Sequence, residues 1–148
     1  MAGYCAQAES TRNPFALSYF GDAADPAVQV RLMGARWFVA IGDNANRADL
    51  HQRLTTAWGT APVTVRHPTA VVSGLAAVGV GTLLAPLTVV NAGARLGVGV
   101  ICNTSAVVEH ECEVGDFVHL APGAVLAGRV TVGAGALVGA GAVVRPDI

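Results

Sequence analysis

The chain of 148 residues is 53% hydrophobic and only 13% charged, with a net charge of −1 and a mean hydropathy of +0.52. A globular chain carries about 25% charged residues, so the polar coat is thin, and from Pro68 to Ala94 there is no charged side chain at all. That window is long enough for the roughly 20 apolar residues of a membrane-spanning helix, and only the pattern inside it decides the matter. There is no basic run to suggest nucleic-acid binding. All nine cations are arginines, which excludes a Schiff-base lysine and a Walker-type phosphate loop. Cys5, Cys102 and Cys112 are odd in number and lack a CxxC spacing, so neither a disulfide framework nor a zinc knuckle is indicated. The opening residues carry no basic start followed by an apolar block. The expectation is a cytoplasmic protein with neither membrane nor nucleic-acid partners.

In chain order, Ala16 to Phe20 reads as a strand, and Trp37 to Ile41 is an apolar, β-prone run that ends in Gly42-Asp43-Asn44. Ala45 to Trp58 places Leu50, Leu54 and Trp58 at helical spacing, and Gly59 ends that helix. Pro62 to Arg66 reads as a second strand, completing a β-α-β unit. A glycine turn feeding a helix N-terminus suits a phosphate; Asp43 equally suits a plain helix cap. His67-Pro68 marks a junction.

Beyond the junction the sequence is periodic. Every sixth residue from Val72, through Val78, Leu84, Val90, Leu96, Cys102, Val108, Val114, Leu120, Leu126, Val132 and Val138 to Val144, is aliphatic or a cysteine. The residue two places earlier is always small or β-branched, from Ala70 to Ala142. A six-residue period fits neither a helix of 3.6 residues per turn nor a simple alternating strand; it fits a hexapeptide β-helix, one short strand and one corner per repeat. Gly79, Gly97, Gly115 and Gly133 recur every eighteen residues, which predicts a column of glycines at one corner of a triangular coil. Just over four coils follow Val72.

Polar residues are scarce in the repeat, yet Asn103, Glu109, His110, Glu111, Glu113, Asp116 and His119 fall close together. His110 lies two residues after inward Val108, at a corner whose equivalents one coil away are Ala92 and Gly128. An imidazole pointing outward between carboxylates has its basicity raised or its tautomer fixed by a neighbouring Glu, as a general base requires. His119 should also point outward. The same Glu-His-Glu run is equally compatible with a solvated turn.

The segments Ile101-Cys-Asn-Thr-Ser-Ala-Val-Val-Glu-His-Glu-Cys112, Val114-Gly-Asp-Phe-Val-His119 and Ala121-Pro-Gly-Ala-Val-Leu-Ala-Gly128 resemble the sugar O- and N-acetyltransferases with a left-handed β-helix. These include sialic acid O-acetyltransferases and UDP-4-amino-sugar N-acetyltransferases. Phe38-Val-Ala-Ile-Gly-Asp-Asn44 and His67-Pro-Thr-Ala70 resemble the same family's N-terminal domain and junction. The resemblance implies a mainly β chain with a left-handed parallel β-helix over residues 67–148, preceded by a shortened, Rossmann-like α/β sugar-nucleotide-binding domain over 1–66. It implies acetyl-CoA as co-substrate, no metal, a sugar or nucleotide-sugar acceptor and a homotrimer with the site shared between subunits. His110 would be the base, Glu111 its partner and the Gly128 N–H an oxyanion donor. His119 and Ala140 would touch acetyl-CoA; Gly42, Asn103 and, on a looser match, Asp22 would lie on the acceptor side.

Two features depart from the family pattern. Met1 to Pro14 contains no Gly-x-Gly-Gly-His turn, and the chain ends at Pro146-Asp147-Ile148 without a Gly-x-Pro-Ala-Lys tail. A non-catalytic trimeric scaffold is therefore the alternative. A γ-carbonic-anhydrase-like zinc enzyme ranks last, because it needs three converging imidazoles and only His110 and His119 are suitably placed.

Overall fold

A computed structural model describes residues 2–148. The chain divides into two compact units: Met1–Ala35 with Gln52–Thr60, and Arg36–His51 with Ala61–Ile148.

The first unit contains β1 (Gly3–Tyr4) and β2 (Ser18–Tyr19), which pair in parallel, and the short helix α1 (Pro26–Arg31). Asp25 caps α1 by accepting from the Ala27 N–H, and Pro26 occupies the first turn, where a missing N–H costs nothing. Helix α2 (Asn44–Trp58) ends at Gly59, whose φ of +63° and bond to the Thr55 carbonyl close the last turn.

In the second unit the six-residue period becomes a parallel β-helix. The first sheet stacks β3 (Val65–Arg66), β6 (Leu83–Leu84), β9 (Ile101–Cys102), β12 (His119–Leu120) and β15 (Leu137–Val138). The second stacks β4 (Val71–Val72), β7 (Val89–Val90), β10 (Val107–Val108), β13 (Val125–Leu126) and β16 (Val143–Val144). The third stacks β5 (Ala77–Val78), β8 (Arg95–Leu96), β11 (Glu113–Val114) and β14 (Thr131–Val132). Each strand pairs with the one three strands on, in strict register; Val108, for example, lies between Val90 and Leu126.

From β4 onward the second residue of each strand points inward. Leu84, Val90, Val108, Leu120 and Leu126 are buried, with Ala94, Ala106, Cys112, Val118 and Ala124 filling the corners between them. Large and small inward positions must alternate because a coil leaves no room for two large side chains per hexad. Thr82 and Thr88 are tolerated inside because their hydroxyls donate to the carbonyls of Gly97 and Cys102. Burial pushes the Cys102 thiol up to about 12, leaving it an inert packing residue.

The glycine column forms, and at Gly79, Gly97 and Gly115 its cause is close approach, whereas a Cβ at Gly133 would meet open space. A Cβ at Gly79 would stand 2.4 Å from the Gly97 carbonyl oxygen, and one at Gly115 2.5 Å from the Ala134 nitrogen. The left-handed backbone lies two residues further on, at Gly81, Gly99, Phe117 and Gly135.

The β-α-β expectation is corrected. Trp37 to Ile41 forms no strand, although the Trp37 carbonyl accepts from the Val63 N–H at 2.8 Å. Val65–Arg66, expected as its partner, pairs with Leu83–Leu84 as the outermost rung of the first β-helix sheet. The strand edge of the first full coil offers regular acceptors that the irregular run at Trp37 does not, so the coil recruits the segment. Ser18–Tyr19 is a strand, but its partner is Gly3–Tyr4. The helix is as expected, and Asp43 caps it through the Asn46 N–H at 2.8 Å.

Candidate active site

His110 and Glu111 occupy the corner between the second and third sheets. His110 is exposed, and its ring lies over Gly128 in the next coil: a Cβ there would stand 2.5 Å from Nε2. Only glycine admits the ring in this position. The Glu111 side chain likewise settles over Gly93, where a Cβ would meet its Cγ at 3.2 Å. Nδ1 of His110 lies 3.1 Å from Glu111 Oε2. A carboxylate only accepts, so Nδ1 carries the proton and Nε2, on the Gly128 side, keeps its lone pair. Glu109 faces the other way, taking a hydrogen bond from Asn91 Nδ2 at 2.8 Å.

His119 is placed differently. It projects from the first sheet, half-buried, with Nε2 3.3 Å from Asn103 Nδ2. The amide nitrogen donates, so this imidazole accepts at Nε2. Burial lowers its proton affinity below the ordinary 6.5, the nearby Arg47 charge lowers it further, and a hydrogen bond to the Gly42 backbone works in the opposite direction. His119 thus joins Asn103 to the Gly42 turn in a setting that disfavours its protonated form.

Arg47 holds that turn. It is 1% exposed, and its five N–H donors all have acceptors. Nε donates to Gly99, Nη1 to Ile41 and Gly42, and Nη2 to Phe117 and to Asn44 Oδ1. Asn44 in turn donates to the carbonyls of Gly135 and Ala136. Gly99, Phe117 and Gly135 are eighteen residues apart, one above another at the third corner. The helical spacing of Asn44 and Arg47 therefore matches the rise of the coils, and one helix turn reads the carbonyls of three successive rungs. Further along the same helix His51 packs edge-on against Phe117, ring centres 5.3 Å apart.

The expected residues thus fall into separate places. His110, Glu111 and Gly128 share one corner of the β-helix; His119, Asn103 and Gly42 form a second cluster; and Ala140 is exposed at the corner Asn103 occupies, two coils on. Asp22 belongs to the first unit, where its carboxylate accepts from the Ala24 N–H at 2.8 Å. Among the described residues no group of three His, Cys, Asp or Glu side chains stands close enough to hold a metal ion, and no helix is long and apolar enough to cross a membrane. Sequence reasoning missed Asn44 and Arg47, whose signal was two polar residues at helical spacing. It also missed Arg129 and Asp147, which continue the eighteen-residue column of Glu111.

Residues 111–146 match the bacterial transferase hexapeptide family of six repeats. A crystal structure of a mutant perosamine N-acetyltransferase from Caulobacter crescentus, in complex with CoA and GDP-perosamine, is 35% identical, covers 93% of this chain and 74% of its own, and superposes with a TM-score of 0.78. The acetyltransferase domain of PglB from Neisseria gonorrhoeae, in complex with acetyl coenzyme A, is 30% identical, covering 94% of this chain and 77% of its own, with a TM-score of 0.78. The GDP-perosamine N-acetyltransferase of Escherichia coli O157:H7 is 32% identical over 90 residues, which is 61% of this chain but 41% of that protein.

Proposed function

The chain belongs to the left-handed β-helix sugar acetyltransferases of the hexapeptide-repeat family, and on that premise we propose that it acetylates an amine of a nucleotide-linked sugar from acetyl-CoA. The observation that carries this is the His110 corner: an imidazole bonded to Glu111 through Nδ1, its Nε2 lying over the backbone of Gly128.

In this mechanism Nε2 of His110 takes the proton from the acceptor amine as its nitrogen attacks the thioester carbonyl. Glu111 fixes the tautomer and stabilises the imidazolium that forms. The Gly128 N–H faces the developing oxyanion, a donor of a kind that contributes roughly 3–4 kcal/mol to a transition state. His110 then returns the proton to the departing thiolate. His119 and Ala140 contact acetyl-CoA, and Asn103 and Gly42 serve the acceptor side. Acetylation of a hydroxyl needs the same groups and is the second outcome to test.

A homotrimer fits the geometry, because His110 and His119 lie on different sides of one chain and a shared site requires a second copy. The second sheet supports this. Its outward positions, Val71, Val89, Val107, Val125 and Val143, are all valine, whereas the third sheet presents Ala77, Arg95, Glu113 and Thr131. Val71 and Val143 are 62% and 68% exposed in the single chain, an apolar ladder suited to subunit packing.

The test is release of CoA from acetyl-CoA with GDP-perosamine and a panel of other nucleotide-linked amino sugars. Turnover is expected with one of them, and His110→Ala should lower it about 10²- to 10⁴-fold. No release with any acceptor, or full activity in His110→Ala, would sink the proposal.

A further inference from the structure

The column through Glu111 carries three consecutive charged rungs. Gly93, Glu111, Arg129 and Asp147 succeed one another every eighteen residues, all with left-handed backbone at φ of 75°, 60°, 59° and 61°. Their side chains therefore leave the corner in the same direction, one coil apart. Arg129 is clamped by Asp147: Nε donates to Oδ1 at 2.6 Å and Nη2 to Oδ2 at 3.1 Å. Its remaining nitrogen, Nη1, stands 4.0 Å from Glu111 Oε2, the oxygen bonded to His110. The Asp147 N–H also bonds the Gly128 carbonyl at 3.2 Å and the Arg129 N–H the His110 carbonyl at 3.0 Å, so the backbone under the clamp is that of the catalytic corner.

Two donors compete for one carboxylate oxygen, and a guanidinium that approaches a carboxylate with two N–H groups outcompetes a neutral imidazole. We propose that Arg129 and Asp147 are positioning residues for the His110–Glu111 pair: Asp147 occupies the guanidinium edge that would otherwise capture Glu111, so that Glu111 stays bonded to His110. The inference rests on the assignment of His110 as the base. The mutual pull of the clamp is visible in both partners, the Asp147 carboxyl being held below its ordinary value chiefly by the Arg129 hydrogen bond and the Arg129 guanidinium raised by the same bond. The charged groups around His110 are Glu109 and Glu111 on its own corner, Arg129 on the next coil and Asp147 on the one after. Glu109 is engaged by Asn91, which leaves Arg129 as the competitor for Glu111.

The experiment reads the His110 tautomer directly, by imidazole ¹⁵N NMR of the full-length protein under alkaline conditions where neutral imidazoles prevail, with the signal assigned by its loss in His110→Gln. The wild type should carry its proton on Nδ1. Asp147→Asn frees Arg129 to take Glu111, and the His110 proton should move to Nε2, with kcat falling about tenfold or more while the KM for acetyl-CoA stays within about twofold. Adding Arg129→Gln to Asp147→Asn removes the competitor and should restore the Nδ1 tautomer, a rescue that a merely structural role for Asp147 would not give. An unchanged tautomer in Asp147→Asn, or a double variant no better than the single one, overturns the proposal. These NMR outcomes together with no acetyl transfer by the wild type would instead reject the proposed function and leave the positioning role standing.

Discussion

Two histidines nine residues apart in the same β-helix end in contrasting surroundings. At the His110 corner the side chains are solvent-exposed, and order comes from stacking: His110 on Gly128, Glu111 on Gly93, Arg129 on Asp147. At His119 the first turn of α2 lies over the same kind of stack, and one buried guanidinium satisfies carbonyls from successive coils while holding Gly42 against the imidazole. The difference teaches that the repeat sets direction and spacing, while a covering element sets the dielectric. An exposed imidazole with a carboxylate partner suits proton transfer; a half-buried one whose protonation is disfavoured suits binding.

The largest effect expected from breaking this contrast is at Arg47. Arg47→Ala strips partners from four carbonyls and from Asn44 Oδ1, and should destabilise the fold by about 3 kcal/mol or more, measured by urea denaturation. Arg47→Lys keeps the charge but not the fork and should recover less than half of that. A loss under about 1 kcal/mol in Arg47→Ala would show that the clamp is incidental.

Next comes the exposed corner. A methyl at Gly128 would drive His110 off its perch, since Nε2 stands 2.5 Å from the position Cβ would take. Gly128→Ala should reduce acetyl transfer about 10²-fold, because displacing a reacting group by 1 Å costs that much, with a melting temperature close to wild type. A matching loss of stability would instead mark the glycine as a packing residue.

The contrast also has a pH signature. Burial lowers the proton affinity of both His51 and His119 below the ordinary 6.5, so at acid pH the unfolded chain binds protons that the folded one refuses. Stability should therefore be fully present above about pH 6.5 and fall as the pH drops below it. His119→Gln and His51→Gln should each flatten that slope in denaturation experiments across this range; a slope identical to wild type in both would refute the assignment.

The smallest effect is expected on the third sheet. Arg95 and Glu113 approach at 3.4 Å, but both side chains are more than half exposed, and Glu113→Gln should change stability by less than about 0.5 kcal/mol. A larger change would mean that this face is covered in the assembled protein.

The β-helix is legible in the order of residues because its information is local and repeated: inward aliphatics every sixth residue fix the length of each rung, and their phase places His110 above Gly128 by counting alone. The membrane question raised by the charge-free stretch is answered the same way, since Leu84 and Val90 fill the inside of a coil. The segment that precedes the junction misleads for the opposite reason. Trp37 to Ile41 has the composition of a strand, but a strand needs a neighbour, and Val65–Arg66 finds a better one in Leu83–Leu84.

What the sequence by itself determined, then, is the coil, its register and the position of the candidate base, all consequences of periodicity. Only the tertiary structure decided which polar residues act together. Arg47 reaches Phe117, and Asn44 reaches Gly135, across ninety-one residues in the latter case, and no local pattern links a helix side chain to a carbonyl on another rung. Hydrogen bonds of that kind depend on where the helix comes to rest, and that is a property of packing.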